Sequence, residues 1–405
     1  MAKACFTFIL LLAAFGPAAP AAQAADARVV HERILTLDTH MDTPMNFARP
    51  GWDMMDEHSV QSDLSQIDYP RMVKGGLDGG FFAIFTPQGP RTLEGFAVAR
   101  DAALKRAAEI RDMVARHPDV FELAYRADDA ERIANSGKRI VFESIENGYP
   151  LGTDITLLKR FYDLGVRMVG PVHFTNNDFA DSATDPKGPE WHGLSPLGRQ
   201  LVAEANRLGI ILDASHASDD TFDQMLALSR TPIVLSHSSA RAVFNHPRNI
   251  DDGRMAKLAA AGGVIQINSY SDYLIDTPDN PERAQAMREL GRKYGQFRNL
   301  TGEKLKAYMA ERQEIEGRYP IPRASIDDLM AHLLHAIRLA GVDHVGIGLD
   351  WDGGGGVTGM EDVAAIPEIT KRLLAAGYNE QDLAKIWAGN ILRVMRIVEA
   401  KASRP

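Results

Sequence analysis

Histidine, aspartate and tyrosine recur at the ends of short apolar runs along this chain. The runs close on Leu37-Asp38-Thr39-His40, Val172-His173, Ala214-Ser215-His216, Leu235-Ser236-His237, Ser269-Tyr270 and Gly348-Leu349-Asp350. In His40-Met41-Asp42 an imidazole and a carboxylate stand two residues apart, so an extended backbone turns both to one side, toward one cation. His216 and His237 supply imidazoles for a second cation. Nitrogen and carboxylate donors suit Zn2+, and Mn, Co or Fe share that ligand chemistry. Two neighbouring cations need a bridging anion. Glu146, in Ile145-Glu146-Asn147-Gly148, is the favoured bridge, with Glu143 as its rival.

Asp350 ends its run within Gly346-Ile347-Gly348-Leu349-Asp350-Trp351-Asp352-Gly353, where a carboxylate beside an activated water would act as general base. Asp352 competes for that role, but strand alternation and the glycines that follow make it a loop-shaping residue. His173 reads either as a third ligand or, preferably, as a hydrogen-bond donor to a developing oxyanion. Arg248 lies in the loop Asn245-His246-Pro247-Arg248-Asn249. It is either a two-pronged reader of a substrate carboxylate or a solvated surface ion pair, and the latter is commoner for loop arginines. The run Gly353 to Gly356 lacks the Lys-Ser/Thr of a phosphate loop and the spacing of a dinucleotide fingerprint. One strand-end histidine is explained as a structural residue, but repeating the cost of buried polar groups around one rim has no purpose for stability alone.

The elements that must position these groups are repeated βα units. Eight strands are predicted, at 34–40, 79–85, 139–144, 166–173, 210–216, 232–237, 264–270 and 344–350, with nearly continuous apolar character. Helical spacing lies between them, as in Leu197, Leu201, Ala205 and Leu208 after a Ser195-Pro196 start. Eight such units predict an α/β fold, a (β/α)8 TIM barrel, whose site gathers at the carboxyl ends of the strands. The stretch 271–323 is too long for a simple connection. Helical patterns at 281–297 and 301–316 predict an inserted hairpin after strand seven, either a lid or a decoration.

A single domain over 25–405 is compatible with a barrel, and 45% hydrophobic residues permit a sizeable core. The net charge of -9 disfavours nucleic acid as a partner and favours small-molecule chemistry. Residues 1–24 read as a signal peptide: Lys3, an apolar run from Phe6 to Phe15, then Ala22-Gln23-Ala24 before the expected cleavage. That run is too short for a retained membrane anchor, so export to the periplasm or medium is expected. The lone Cys5 falls within the leader, leaving the mature chain with neither disulfides nor thiolate ligands.

The segments His40-Met41-Asp42-Thr43-Pro44, Glu146-Asn147-Gly148, Gly165-Val166-Arg167 with Val172-His173, Asn206-Arg207-Leu208-Gly209, Asp213-Ala214-Ser215-His216, Ser236-His237-Ser238-Ser239-Ala240 and 346–353 together resemble those of renal (membrane) dipeptidases, within the metal-dependent amidohydrolase superfamily. The resemblance spans almost the entire mature chain and implies a binuclear zinc peptidase hydrolysing free dipeptides, often with a D residue tolerated at the carboxyl-terminal position. It implies His40 and Asp42 on one zinc, His216 and His237 on the other, and Glu146 between them. Asp350 would shuttle the proton and His173 contact the oxyanion or substrate. Arg248 would anchor the substrate carboxylate, with Tyr270 near it. A non-covalent homodimer is also implied. Tyr149 stands where the family usually has histidine, and Met45 where an aromatic is common; the ligands stay in place, but the pocket wall beyond the bridge is expected to differ, so the resemblance does not carry over a side-chain preference. The rival readings are another amidohydrolase on the same metal pair (a lactamase, lactonase or phosphotriesterase) and a periplasmic binding protein with a degenerate site.

Overall fold

A computed structural model describes residues 20–403. Residues 1–19 of the expected leader lie outside the described residues. Among the described residues, nine strands follow the helix Pro20–Arg33: β1 (Leu37–Met41), β2 (Gly79–Ile84), β3 (Phe121–Leu123), β4 (Arg139–Ile145), β5 (Val166–Val169), β6 (Ile211–Leu212), β7 (Val234–Ser238), β8 (Val264–Ile267) and β9 (Val345–Ile347). Every pairing between these strands is parallel. One sheet runs β1-β2-β4-β5-β6, with β3 attached to the first residues of β4, and a second runs β7-β8-β9. The two sheets meet at both seams. Ala214 N donates to Val234 O at 2.8 Å, and Asp42 N donates to Trp351 O at 2.8 Å. Each contact is accompanied by an isolated parallel bridge, so the arrangement is TIM-barrel-like.

Helices return the chain between parallel strands. Pro196–Leu208 shows why they form where they do: Ser195 caps the first turn through Gly198 N, Pro196 supplies a helical φ, and Gly209 ends the helix at φ 78°. Its Leu201, Ala205 and Leu208 are buried on the face predicted from their spacing, with Val202 buried beside them and Leu197 half-buried. The last helix, Asn390–Lys401, buries Ile391, Leu392, Val394, Met395 and Val398. These pack with Leu37, Ile211, Val234 and Val264, all at or near the starts of their strands. Each such aliphatic side chain contributes about 1.5–3 kcal/mol when fully buried, so this helix seals the end of the ring opposite the histidines.

The ladders are shorter than predicted. β5 stops at Val169, β6 at Leu212, β8 at Ile267 and β9 at Ile347, before His173, His216, Tyr270 and Asp350 respectively. The cause is local: ladder geometry would lock the side chains into strict alternation, whereas the rim residues turn inward. His216 and Asp350 have φ 66° and 64°, a left-handed conformation costing a non-glycine residue about 1–2 kcal/mol. β1 begins at Leu37 rather than 34, because the preceding helix persists to Arg33. The three-residue β3 was not anticipated from the sequence.

Within 271–323 the chain forms a short helix, Ser271–Leu274, then helices Pro281–Tyr294 and Gly302–Arg318. Leu290, Leu300, Tyr308 and Met309 form a small core of their own. The unit rests on the segment after β1: Phe297 stacks under the Arg49 guanidinium at 4.9 Å, and Arg298 Nη2 lies 3.4 Å from Met45 Sδ.

Candidate active site

Register irregularities fall on the strands that carry the donors. β1 shifts against β2 between Asp38 and Met41, and β7 shifts against β8 between Leu235 and Ser238. Such bulges re-aim side chains, and here they lie beside His40, Asp42 and His237. The result is a ring of imidazole nitrogens around one carboxylate oxygen. Glu146 Oε1 lies 3.1 Å from His216 Nε2, 3.4 Å from His173 Nε2, 3.5 Å from His237 Nε2 and 3.7 Å from His40 Nε2. His40 Nε2 is also 3.6 Å from Asp42 Oδ2 and 4.0 Å from Asp350 Oδ1. Three donor groups each converge within 4.8 Å: His40, Glu146 and His237; Glu146, His173 and His216; His40, Asp42 and Asp350.

These residues fit divalent cations. His40 Nε2 and Asp42 Oδ1 are buried without a hydrogen-bond partner, a state that native interiors rarely tolerate. Burial holds His216 and His237 well below the ordinary imidazole range, and holds His173 down to about 3, so all three offer lone pairs at neutral pH. Burial alone would depress His40 as well, but Glu146, Asp42 and Asp350 outweigh it and lift it to about 10. A cation and a proton compete for this place among the carboxylates. Burial raises Glu146 and Asp350, which stand close to each other's charge and to Asp42.

Glu143, the rival bridge, is not among these groups. Its carboxylate lies against Gly165, with Arg111 and Arg167 as the nearest cations, and neither oxygen has a partner. Asp352 accepts from Thr43 Oγ1 at 2.6 Å and from Gln66 N at 2.7 Å, so it ties the loop after β9 to the segment after β1. Gly353 makes the close approach possible: a Cβ there would stand 2.1 Å from Asp42 Oδ2 and 2.3 Å from Asp350 Oδ1.

Arg248 departs from its surface reading. It is 3% exposed and makes no ion pair among the described residues. Nη2 donates to His237 O at 2.7 Å, Nε is unpartnered, and the guanidinium sits over the Tyr273 ring at 5.5 Å. A buried cation without a counter-charge is costly, which points to an anionic partner from outside the chain. Tyr273 and Tyr270 pack edge-to-face at 4.7 Å, and burial pushes both phenols up, so they remain hydrogen-bond donors.

A cavity of about 200 Å³ opens on this centre, lined by Met45, Phe85, Phe174, Tyr270, Tyr273 and the donors Asp42, Glu146, His173, His216 and Asp350. Wider clefts exist, such as one of about 500 Å³ beside Arg126, Tyr162 and Arg396, but it has no convergent donor set. The narrower cavity is therefore the site.

Residues 24–405 match the model of the membrane dipeptidase family, peptidase family M19. The chain belongs to this family. It is a metallo-dipeptidase, a hydrolase acting on peptide bonds of small peptide substrates. It is 31% identical over 375 residues to the dipeptidase tcpJ of Claviceps purpurea, covering 90% of this chain and 77% of that protein. Among solved structures it resembles the probable dipeptidase PvdM of Pseudomonas aeruginosa, with a TM-score of 0.80 and 32% identity over 95% of this chain and 100% of that one. It also resembles a metallopeptidase of Rhodobacter sphaeroides solved with a phosphinate mimic of the dipeptide L-Ala-D-Ala. The TM-score there is 0.71, with 25% identity over 90% of this chain and 99% of that one. Membership makes a metal cofactor part of this dipeptidase's chemistry.

Several buried polar groups that bond to the donors or to the backbone beside them escaped sequence reasoning. Asp38 accepts from His40 N at 2.9 Å and from Leu349 N at 3.1 Å, joining the backbone beside the His-x-Asp pair to the backbone beside Asp350. Asp213 and Ser236 stand behind His237. Their signal was their place in the apolar runs, two residues before His40 and within three of His216 and His237.

Proposed function

We propose that this metallo-dipeptidase is an exported two-zinc enzyme that cleaves free dipeptides, including those with a D residue at the carboxyl end. The observation that carries the reading is the convergence of four imidazole Nε2 atoms within 3.7 Å of one Glu146 oxygen. His40 and Asp42 would hold one ion, His216 and His237 the other, with Glu146 shared between them. When bound, such ions lower the pKa of a water and polarise the scissile carbonyl.

The protein's own groups do the rest. Asp350 takes the proton of the attacking water and returns it to the leaving amine, a task suited to a carboxyl raised toward neutrality by burial. His173, neutral and at the cavity wall, donates to the oxyanion. Arg248 pairs with the free carboxylate of the substrate, with Tyr270 and Tyr273 closing that end. The small cavity favours two residues over a longer peptide, and the phosphinate dipeptide mimic bound by the Rhodobacter sphaeroides relative suits the same chemistry. The reading extends to a complete (β/α)8 barrel carrying 271–323 as an insert, removal of residues 1–24, and a non-covalent homodimer.

A dipeptide-library screen with L-L and L-D pairs, run on Zn2+-reconstituted protein beside metal analysis of the same sample, tests this. Two Zn2+ per chain and turnover that requires a free substrate carboxylate are expected. Preferential hydrolysis of neutral esters, lactones or phosphotriesters would replace the dipeptide reading.

A further inference from the structure

Behind His237, on the side away from Glu146, lies a fully buried chain of polar groups. Ser236 Oγ is 2.8 Å from His237 Nδ1 and 2.5 Å from Asp213 Oδ2. The other carboxylate oxygen, Asp213 Oδ1, accepts from Ser215 N and Ser236 N, both at 2.9 Å. Ser215 Oγ in turn accepts from His237 N at 3.1 Å. Asp213, Ser236 and His237 are 3%, 0% and 1% exposed, so water does not compete for these bonds.

Counting protons fixes the direction of the chain. Asp213 accepts throughout, so the single Ser236 hydroxyl proton points to Oδ2. Ser236 Oγ then has only lone pairs left for its other two neighbours, so the Ser215 hydroxyl at 3.3 Å donates to it and His237 Nδ1 must carry the imidazole proton. Nε2, facing Glu146, is left as a bare lone pair. His216 has no equivalent support, since its Nδ1 is buried without a partner.

We propose that Asp213 and Ser236 are positioning residues that lock His237 in the Nδ1-H tautomer and orient Nε2 for a divalent cation. The inference rests on the two-cation reading above. Partners behind a ligating histidine typically change metal affinity by about 10–100-fold when removed. Ser236→Ala leaves Nδ1 without an acceptor. Asp213→Asn does something more specific: its amide oxygen still takes the two backbone N–H bonds, while its NH2 faces Ser236 and donates to it. With that bond and the one from the Ser215 hydroxyl filling its lone pairs, Ser236 donates its own proton to Nδ1, which moves the imidazole proton to Nε2 and blocks the ligand atom.

Two measurements on the full mature chain decide the matter. In Zn2+ competition against a chelating dye, Ser236→Ala and Asp213→Asn are expected to weaken the site that His237 serves about 10–100-fold, while Ser236→Thr, which keeps the hydroxyl, stays close to wild type. In long-range 15N imidazole spectra of metal-free protein, with the His237 signal identified by its loss in His237→Ala, wild type and Ser236→Thr should show Nδ1-H and Asp213→Asn should show Nε2-H. An unchanged tautomer in Asp213→Asn, or Zn2+ affinity within twofold of wild type in both Asp213→Asn and Ser236→Ala, overturns the relay. If Asp213→Asn does not fold, the Ser236→Ala and Ser236→Thr pair decides by the same affinity criterion. If wild type takes up no Zn2+, the two-cation reading fails, and the tautomer comparison still judges the relay.

Discussion

The Nε2 atoms of His216 and His237 stand 2.9 Å apart in a buried site, and at most one of them can donate to the other. Both rings are held neutral by burial, and Glu146 Oε1 lies within 3.5 Å of each. A cation bound by both nitrogens stabilises the folded enzyme by mass action. Chelation is therefore expected to abolish turnover and lower the melting temperature, and Zn2+ at about 100 times its Kd should restore about 2.7 kcal/mol. Differential scanning calorimetry of chelated and reloaded protein checks this, and an unchanged melting temperature would count against a cation at this pair.

Asp350 and Asp352 separate by their partners. Asp350→Asn is expected to leave metal content intact and lower kcat by about two to four decades, the range of a lost acid-base group. Asp352→Asn instead weakens the bond from Thr43 Oγ1 or Gln66 N, with an expected loss of about 1–3 kcal/mol in stability and a smaller change in kcat. Steady-state kinetics beside denaturant melts distinguish the two, and near-normal turnover in Asp350→Asn would remove it as the proton carrier.

Arg248 has no ion-pair partner among the described residues and lies behind the tyrosine wall of the cavity. Arg248→Ala is expected to lower kcat/KM for free dipeptides about 10- to 100-fold, corresponding to ~1.5–3 kcal/mol for a hydrogen bond to a charged group. Amidating the substrate carboxyl should cost wild type a similar factor and the variant little more. Equal losses from amidation in both proteins would place the carboxylate elsewhere.

Glu143 gives a pH test that is independent of catalysis. Burial pushes its carboxyl up to about 8, against only partial relief from Arg111 and Arg167. Between its ordinary 4.5 and about 8 the folded protein holds a proton that the unfolded chain has released, so stability from this group is full below pH 4.5 and is lost as pH rises through 8. Glu143→Gln should flatten that decline and raise stability at high pH by about 1–3 kcal/mol, with metal content unchanged. Glu146→Gln should lose metal. Urea denaturation across pH 5–9 (about the window of the shift) measures the first effect, and a decline of equal slope in the variant would refute it.

Much of the site is legible in the sequence because its donors are tied to strand ends. His40 and Asp42 follow from period two, and the imidazoles at 216 and 237 from the runs that carry them. The eight parallel segments were readable from apolar runs alone, since both faces of such strands are covered. Glu146 was separable from Glu143 by the turn after it, and the structure turns Glu143 toward Gly165 instead.

Other features depended on contacts between distant segments. Local sequence cannot say that the loop after β7 folds back to bury Arg248 under Tyr273, because burial is set by what packs from the far side. β3 is three residues long and exists through its pairing with the start of β4. The hydrogen-bonded chain from Asp213 to His237 crosses a seam between the two sheets, where neither segment alone reveals it. Period and composition report the forces acting along one segment; directed bonds between segments exist only once those segments have packed together.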